Sequence, residues 1–429
     1  MAIQGLRNTT AFDTPAGRRP QNYREGILML YPNGGGIEKA PLTALTAVMK
    51  SQATDDPIYH WFTKQMQDRR LRLSADLPAV TAGGTGDAGD IVTITVDATF
   101  ASAFAVKEGD LLMAEQTNEI LYVNKTPTAS GSIEVIRGFT QAAGSAVALV
   151  DFDGAGVNPY LVVVGSAFEE GSMAPDPIGF DPIELSNQTQ IFRGTYGLTN
   201  TAAATRTRTG NEEAELKREA LEIFGVDMER AFIFGQKTTT MRNGQPLRTT
   251  AGILSQIPAS QRWTPVNGVM TYDWLVSKSR DIFRYGSTEK LAFVGGGALT
   301  ALTEMVRKNG SAEYHLSEEV SEYGMKGIRR LRTPTGTLVL KVHPLFSQMA
   351  GGTNGGTAFT SMDNAMLILD MANLRYRYLT GRDVKFERDL QLPGHDAKHA
   401  GWIAEAGLEM HHPYTHSFIN GIVSGAKDA

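Results

Sequence analysis

The spacing of apolar and polar residues predicts a β-rich module between residues 88 and 152. Short apolar runs there alternate with polar residues and are separated by turn signals such as Glu108-Gly109. This pattern is typical of short strands in a small barrel or sandwich. We predict five or six strands, at Ile91–Val96, Asp110–Ala114, Ile120–Val123, Ile133–Ile136 and Val147–Val150. Residues 160–206 continue as extended chain.

A long helix is predicted at about 211–235. Its apolar residues recur at helical spacing, at Leu216, Ala220, Ile223, Phe224, Met228 and Ala231. Thr209 with Glu212 fits a capping box, and the acidic residues that follow suit the positive end of the helix dipole. Gly235 is a plausible terminator.

From residue 250 onward the pattern predicts alternating helices and strands. We expect helices at Tyr272–Tyr285 and Ala298–Lys308. The predicted strands are Leu291–Val294, Thr337–Val342, Ala365–Asp370, Leu374–Tyr378, Val384–Arg388 and Trp402–Met410. Together with the β-rich module, these elements indicate an α+β protein.

Residues 1–56 do not read as a folded domain. Gly, Pro, Asn and Thr interrupt the segment, and a short helical pattern occurs at Leu42–Lys50. Such a segment acquires its shape on a surface that something else provides, and neighbouring copies are the natural source. Asp55 and Pro57 then start a turn or a helix before a group of large aromatic residues.

Composition fits an ordinary soluble globular chain, with 41% hydrophobic and 20% charged residues. The chain has no Cys, which excludes disulfides and thiolate metal sites. Its apolar runs are far shorter than the roughly 20 residues of a membrane span, and residues 1–20 lack the apolar stretch of a secretory signal.

The charge is unevenly distributed along the chain. The net charge is −5, but residues 1–74 hold ten Lys and Arg against six Asp and Glu, whereas residues 75–170 hold three against thirteen. A basic segment followed by an acidic module can meet within one chain or between neighbours. Two separately solvated surfaces explain the same asymmetry, because exposed ion pairs contribute little.

Candidate chemistry is weak throughout the sequence. Gly295–Gly297 lacks the third spaced glycine of a dinucleotide-binding turn and reads as a strand-to-helix turn. His395 and His399 could chelate a metal on a helix, but flanking glycines disfavour a helix there. Asp151–Gly154 lacks the later ligands of a calcium loop. We therefore predict no catalytic, cofactor or metal site.

Several segments resemble a known family when they are read in order. They are His60–Phe62, VKEGDLLMAE at 106–115, IEVIRGFTQ at 133–141, TQIFRGTYGLTNT at 189–201, VDMERAFIFG at 226–235, AGILSQI at 251–257 and LAFVGG at 291–296. Their collinear order resembles the major capsid proteins of tailed bacteriophages with the HK97 fold. The most similar subgroup carries a β-rich insertion in the extended loop.

The resemblance implies an HK97-like capsid fold with four regions. Residues 1–56 would be the N-terminal arm. Residues 57–206 would be the extended loop, with the small barrel or sandwich module inserted at about 88–152. Residues 207–247 and 374–429 would form the peripheral domain around the spine helix at about 211–235. Residues 248–373 would be the axial domain.

The resemblance also implies a function and partners. The chain would assemble with itself, as hexamers and pentamers, into the icosahedral head shell around double-stranded DNA. Portal, scaffolding and decoration (cement) proteins would be further partners. Contact with packaged DNA would be weak and non-specific, and no membrane would be involved. The chain would be made and assembled in the cytoplasm of the bacterial host and would end in the virion capsid.

Aromatic and basic residues near the arm and in the loop are our candidates for assembly contacts. They are Tyr59, Trp61, Phe62, Arg69, Arg70 and Phe192. For Trp61 and Phe192 an ordinary place in the core of the subunit is an open alternative. Two other functions also stay open: a phage tail or decoration protein, and an α/β enzyme with an unrecognised site.

Overall fold

The computed structural model describes a large part of the chain in two compact units. The described residues are 49–64, 69–97, 105–129, 131–148, 150, 160–175, 177–179, 181–205, 211–309, 320–322, 325–348, 353–354, 357–358 and 362–423. One unit spans Phe62–Ile183, and the other comprises the described residues up to Trp61 and from Glu184 onward. Most of the N-terminal arm, the segment Asp151–Gly154 and the residue Thr209 lie outside the described residues.

In the described part of the chain, the strands come first and helices are interspersed among them from residue 200 onward. In chain order the strands are β1 (Lys50–Thr54), β2 (Ile58–Thr63), β3 (Arg70–Arg72), β4 (Ile91–Thr95), β5 (Asp110–Ala114), β6 (Ile120–Val123), β7 (Ser132–Ile136), β8 (Tyr160–Ser166), β9 (Ile183–Gln188), β10 (Gln190–Thr199), β11 (Thr238–Arg242), β12 (Gln245–Thr249), β13 (Arg262–Trp263), β14 (Glu289–Val294), β15 (Val320–Glu322), β16 (Met325–Thr333), β17 (Gly336–Val342), β18 (Thr353–Asn354), β19 (Thr357–Ala358), β20 (Met366–Leu369), β21 (Leu374–Leu379), β22 (Lys385–Glu387), β23 (Ala397–Met410) and β24 (Ser417–Ile419).

The helices confirm the α+β class. They are α1 (Asn200–Ala204), α2 (Glu212–Phe234), α3 (Ile253–Gln256), α4 (Tyr272–Ile282), α5 (Gly296–Asn309) and α6 (Pro344–Gln348). Short 3₁₀ turns lie at Ala259–Gln261, Val266–Gly268, Met362–Asn364, Met371–Asn373 and Pro413–Thr415. Within the described part of the chain, no helix is both long and apolar enough to cross a membrane.

The unit at Phe62–Ile183 is a small closed barrel. Its strands pair in the order β3-β8-β5-β6-β7-β4, and a bridge between Leu73 and Val96 joins the two end strands. Because side chains alternate across a strand, every second residue points inward and fills the core. The predicted strands Asp110–Ala114 and Ile120–Val123 are confirmed, whereas Val147–Val150 contributes isolated bridges instead of a strand.

A buried ion pair closes one part of the barrel. The Arg137 guanidinium donates to both carboxylate oxygens of Glu119 at 3.0 and 2.8 Å. It also donates to the carbonyls of Pro78 and Ala148 at 2.6 and 2.9 Å. A buried pair stabilises a fold only when its hydrogen bonds are satisfied, and here Arg137 ties three separate segments together.

The other unit contains a five-stranded sheet covered by helix α2. The strand order is β1-β21-β23-β10, with β22 also on β23. β1 runs parallel to β21, and the remaining pairs are antiparallel. The predicted helix at 211–235 is confirmed as α2, about 34 Å long at 1.5 Å per residue. Its cap is Asn211, so the prediction of Thr209 as the cap was wrong: the Asn211 side chain accepts from the amides of Glu213 and Ala214.

The apolar face of α2 is narrower than the sequence indicated. Ala220, Phe224, Met228 and Phe232 are buried at a spacing of four residues. Ile223 was predicted in this stripe but is 61% exposed. The helix presses closely on β10 beneath it, since a Cβ at Gly194 would lie 3.0 Å from Cβ of Phe224.

In the seven-stranded sheet of the same unit, the central strand β14 is buried on both faces. The strand order of this sheet is β13-β24-β20-β14-β17-β16-β15. Leu291 and Phe293 on β14 join the core shared with α2, whereas Ala292 and Val294 join a second core with α4 and α5. Burial on both faces explains the continuous apolar run that predicted this strand. Strand β2, in turn, excludes the helical alternative after Asp55 and Pro57.

Candidate assembly interfaces

The first candidate residues lie on β2, where side chains alternate between interior and solvent. Tyr59 and Trp61 are 5% and 8% exposed, and their rings stack with centroids 6.0 Å apart. The Tyr59 hydroxyl donates to the Leu408 carbonyl at 3.0 Å. Burial, with the nearby Glu409 carboxylate, raises the pKa of Tyr59 far above its ordinary value. Phe62 points the other way and is 68% exposed.

Arg69 and Arg70 are both bound within the barrel. Arg69 pairs with the Asp110 carboxylate and donates from Nε to the Ala105 carbonyl at 3.0 Å. Arg70 donates to both oxygens of Glu115 at 2.6 Å. The Arg70 guanidinium also lies 3.8 Å from the centre of the Tyr160 ring. The planar, bidentate pairing with Glu115 fixes the direction of the Arg70 guanidinium. Both arginines therefore link neighbouring parts of the barrel.

Phe192 lies on β10 beneath helix α2. It is 5% exposed and meets Phe232 edge to face at a centroid distance of 5.9 Å. Phe232 in turn meets Tyr376 at 6.3 Å. Phe192 is therefore an aromatic anchor of the subunit's own core.

The six candidates do not all lie at the surface of the subunit. Tyr59, Trp61 and Phe192 are packed inside the subunit, which agrees with the core alternative that the sequence left open for Trp61 and Phe192. Among the six, Phe62 offers the large exposed apolar side chain that an interface uses. A role of these residues in assembly stays a prediction.

A projecting hairpin was not predicted from the sequence. β11 and β12 pair with each other around Asn243 and Gly244, which have φ angles of 52° and 74°. The Asn-Gly pair favours this two-residue turn, because both positions need φ above zero, and it was the local signal that could have revealed the hairpin. The Gln188 amide holds the base by donating to the carbonyls of Thr238 and Thr249 at 2.6 and 2.7 Å.

A buried polar cluster lies between the seven-stranded sheet and the 3₁₀ turn Pro413–Thr415. His416 is completely buried, and its Nδ1 accepts from the Asp370 amide at 3.2 Å. Burial lowers the pKa of His416 to about 3. The Lys290 ammonium donates to the carbonyls of Ile282, Tyr285 and Thr415 at 2.7, 2.9 and 2.7 Å, and burial lowers its pKa to about 8. This cluster ties the end of α4 to the chain's last strands.

A second buried pair joins α2 to the seven-stranded sheet. His343 Nε2 lies 2.6 Å from Glu229 Oε1, and both side chains are fully buried. The His343 ring stacks on Phe346 at 4.5 Å and meets Phe293 edge to face at 5.4 Å. Sequence patterns could not reveal this pair, because 114 positions separate its members.

The sequence segments that hinted at ligand chemistry have structural roles where they are described. Gly295 makes room for a neighbouring turn, since a Cβ there would lie 2.1 Å from the Asp363 carbonyl oxygen. The rings of His395 and His399 are 5.5 Å apart, but they lie in a turn and on β23, and not on a helix. Across the described ranges, no three His, Asp or Glu side chains are placed to hold a metal ion.

Comparison with known proteins gives a family match over nearly the whole chain. A family model described as SU10 major capsid protein matches residues 7–423. The major capsid protein of Pseudomonas phage PaMx41 is 26% identical over 442 residues, which cover 97% of this chain and 96% of that protein.

The chain is also similar to solved capsid structures. The capsid of a native GTA particle has a TM-score of 0.48 at 9% identity, covering 98% of this chain and 100% of that chain. A structure of Mycobacterium phage Adephagia has a TM-score of 0.41 at 10% identity, with 99% and 100% covered.

Proposed function

The chain belongs to the SU10 major capsid protein family and is the major capsid protein of a phage head shell, and from this premise we propose how it builds that shell. Copies of the chain associate as hexamers and pentamers that close into the icosahedral head. The observation that carries the proposal is the extent of the family match, which runs from residue 7 to residue 423 and so includes both compact units. The role is structural and needs no catalysis.

Each region of the chain has a part in this assembly. Residues 1–56 act as the N-terminal arm, and the part before β1 lies on adjoining copies, since β1 pairs with β21 of its own chain. Residues 57–206 form the extended loop that carries the barrel, and its last strand, β10, returns to the five-stranded sheet. Helix α2, with residues 207–247 and 374–429, is the spine of the peripheral domain. Residues 248–373 form the axial domain around the symmetry axes. The support is that α2 packs along the five-stranded sheet, while α4 and α5 pack on the seven-stranded one.

The partners follow from a shell's task. The chain binds its own copies and, at special positions of the head, portal, scaffolding and decoration proteins. It encloses double-stranded DNA with weak, non-specific contact, which a net charge of −5 supports because strong phosphate binding needs many exposed cations. Synthesis and assembly take place in the cytoplasm of the bacterial host.

Size-exclusion chromatography with negative-stain electron microscopy tests this proposal. The purified full-length chain is expected to give pentamers, hexamers or closed shells, in proportions that rise with protein concentration. A compact monomer that stays monomeric at the highest concentrations would contradict it and would favour the alternative of an α/β enzyme.

A further inference from the structure

The outer surface of the barrel carries an apolar stripe. Strand pairing places Ile91 beside Ile136, Ile136 beside Tyr122, and Tyr122 beside Leu111, one residue from each of four strands. These four side chains point outward, because the alternate positions on the same strands fill the core. Phe139 extends the row by stacking on Tyr122 at 4.9 Å. We call Ile91, Leu111, Tyr122, Ile136 and Phe139 the barrel stripe.

Within the described residues, the two ends of the barrel stripe are exposed, whereas Leu111, Tyr122 and Ile136 are half-buried. Ile91 is 60% exposed and Phe139 is 45% exposed. Antiparallel strands that face water on one side normally alternate apolar and polar residues. Residues 111–113 of β5 and 120–123 of β6 are apolar on both sides instead, which is typical of strands covered on both faces. A partner that covers the outer face in the assembly explains this composition.

The hairpin of β11 and β12 also exposes apolar side chains. All of β11 is exposed, and the apolar side chains of Met241 and Leu247 are 69% and 46% exposed. A two-stranded hairpin is at best marginally stable in water unless something packs on it. Its base is fixed by Gln188. Met241 and its cross-strand neighbour Pro246 share one exposed face of the hairpin, whereas Leu247, which pairs with Thr240, lies on the other face.

Charge distinguishes between the possible partners. The hairpin segment 236–250 contains Lys237, Arg242 and Arg248 and no carboxylate, whereas residues 75–170, which include the stripe, hold thirteen acidic and three basic residues. Two barrels face to face would bring like charges together, which costs free energy, whereas a hairpin on a barrel brings opposite charges together.

We propose that the hairpin of one copy packs on the barrel stripe of a second copy. The proposal rests on the self-assembly proposed above and adds the surfaces that meet. Two different surfaces take part, so the contact is heterologous, and repetition around a rotation axis closes a ring. Such a contact suits pentamers and hexamers, and each copy would give one hairpin and receive one.

Engineered cysteines test the contact directly, because the chain has no Cys of its own. Met241→Cys and Phe139→Cys subunits are assembled together and treated with oxidised glutathione. A disulfide forms when the two Cα atoms approach within about 5–7 Å. The matched control replaces Met241→Cys with Val266→Cys, which is 74% exposed and belongs to neither surface.

We expect the 241–139 pair to give a yield of covalent dimer on the order of tenfold higher than the 266–139 control, because neighbours in a shell have a high effective concentration. Equal yields, or a dominant 139–139 dimer from barrels meeting each other, would overturn the proposal. Electron microscopy of the untreated wild-type protein separates the hairpin contact from the assembly itself. If wild-type shells form but the 241–139 variants give no cross-link, the hairpin contact is refuted. If no shells form, the assembly is refuted.

Ile91→Glu adds a second measurement. It places a carboxylate on the exposed edge of the stripe, so we expect folded subunits with a reduced yield of closed shells. Thr93→Glu is the control, because Thr93 is exposed on the same strand but lies outside the stripe. If both variants assemble equally well, the stripe is not an assembly surface.

Discussion

His416 is expected to make the folded subunit sensitive to mild acid. In the folded chain burial lowers the pKa of His416 from 6.5 to about 3. Between these two pH values the unfolded chain therefore binds a proton at His416 that the folded chain does not bind. The stability that the neutral imidazole contributes is therefore fully present above pH 6.5 and is lost as the pH falls toward 3. Each pH unit in this window costs about 1.4 kcal/mol, which amounts to about 2 kcal/mol at pH 5.

His416→Asn isolates this effect from other acid-sensitive groups. Asparagine keeps an oxygen acceptor near the position of Nδ1, which accepts from the Asp370 amide, and it does not titrate. The assay is urea unfolding of dissociated subunits at pH 8 and pH 5, followed by tryptophan fluorescence. Wild type and the control His395→Asn, at an exposed histidine, are expected to lose about 2 kcal/mol more than His416→Asn on acidification. Equal losses in all three proteins would refute the reasoning.

Three further predictions concern the core, the barrel and the arm. Phe192→Ala is expected to lower the free energy of unfolding by about 3–5 kcal/mol. Phe62→Ala should change the free energy of unfolding by less than about 0.5 kcal/mol but reduce the yield of closed shells. Reduced stability of Phe62→Ala would argue against an interface role. Arg137→Met leaves Glu119 buried without its cation and should cost about 3–5 kcal/mol in urea unfolding, and a neutral effect would contradict the buried pairing. Removal of residues 1–48 should leave subunits with a wild-type circular dichroism spectrum that fail to close shells, and intact particles by electron microscopy would refute this.

Local patterns predicted the elements that depend on local interactions. The bounds of β5 and β6 agree with the prediction, and α2 differs by one residue at each end, because strand alternation, helical spacing and Gly235 are read from neighbouring residues. Strand β1 was missed because it forms by pairing Lys50 with Arg375, far away in the sequence. The extended prediction for 160–206 likewise overlooked the short helix α1, which the Thr199 side chain caps.

The candidate site was harder to predict than the fold. An aromatic residue in a strand reads the same whether its partner is the subunit's own helix or a neighbouring copy. Trp61 and Phe62 are adjacent in sequence, yet one is buried and the other is exposed. Only the register of the strand against the rest of the fold decides between them. The arginines pose the same problem, since Arg70 finds its partner Glu115 45 positions away.

The pairing of β3 with β8 has a practical consequence. The chain enters the barrel through one of these strands and leaves through the other, with Arg70 directly beside Val162, and the Leu73–Val96 bridge leaves the insertion without a free edge. Inserted modules whose two ends lie side by side are exchanged most readily, because a replacement needs only matching attachment points. The barrel is thus a natural grafting position for a foreign domain with adjacent termini, and a graft that keeps the barrel stripe would be displayed many times on one particle.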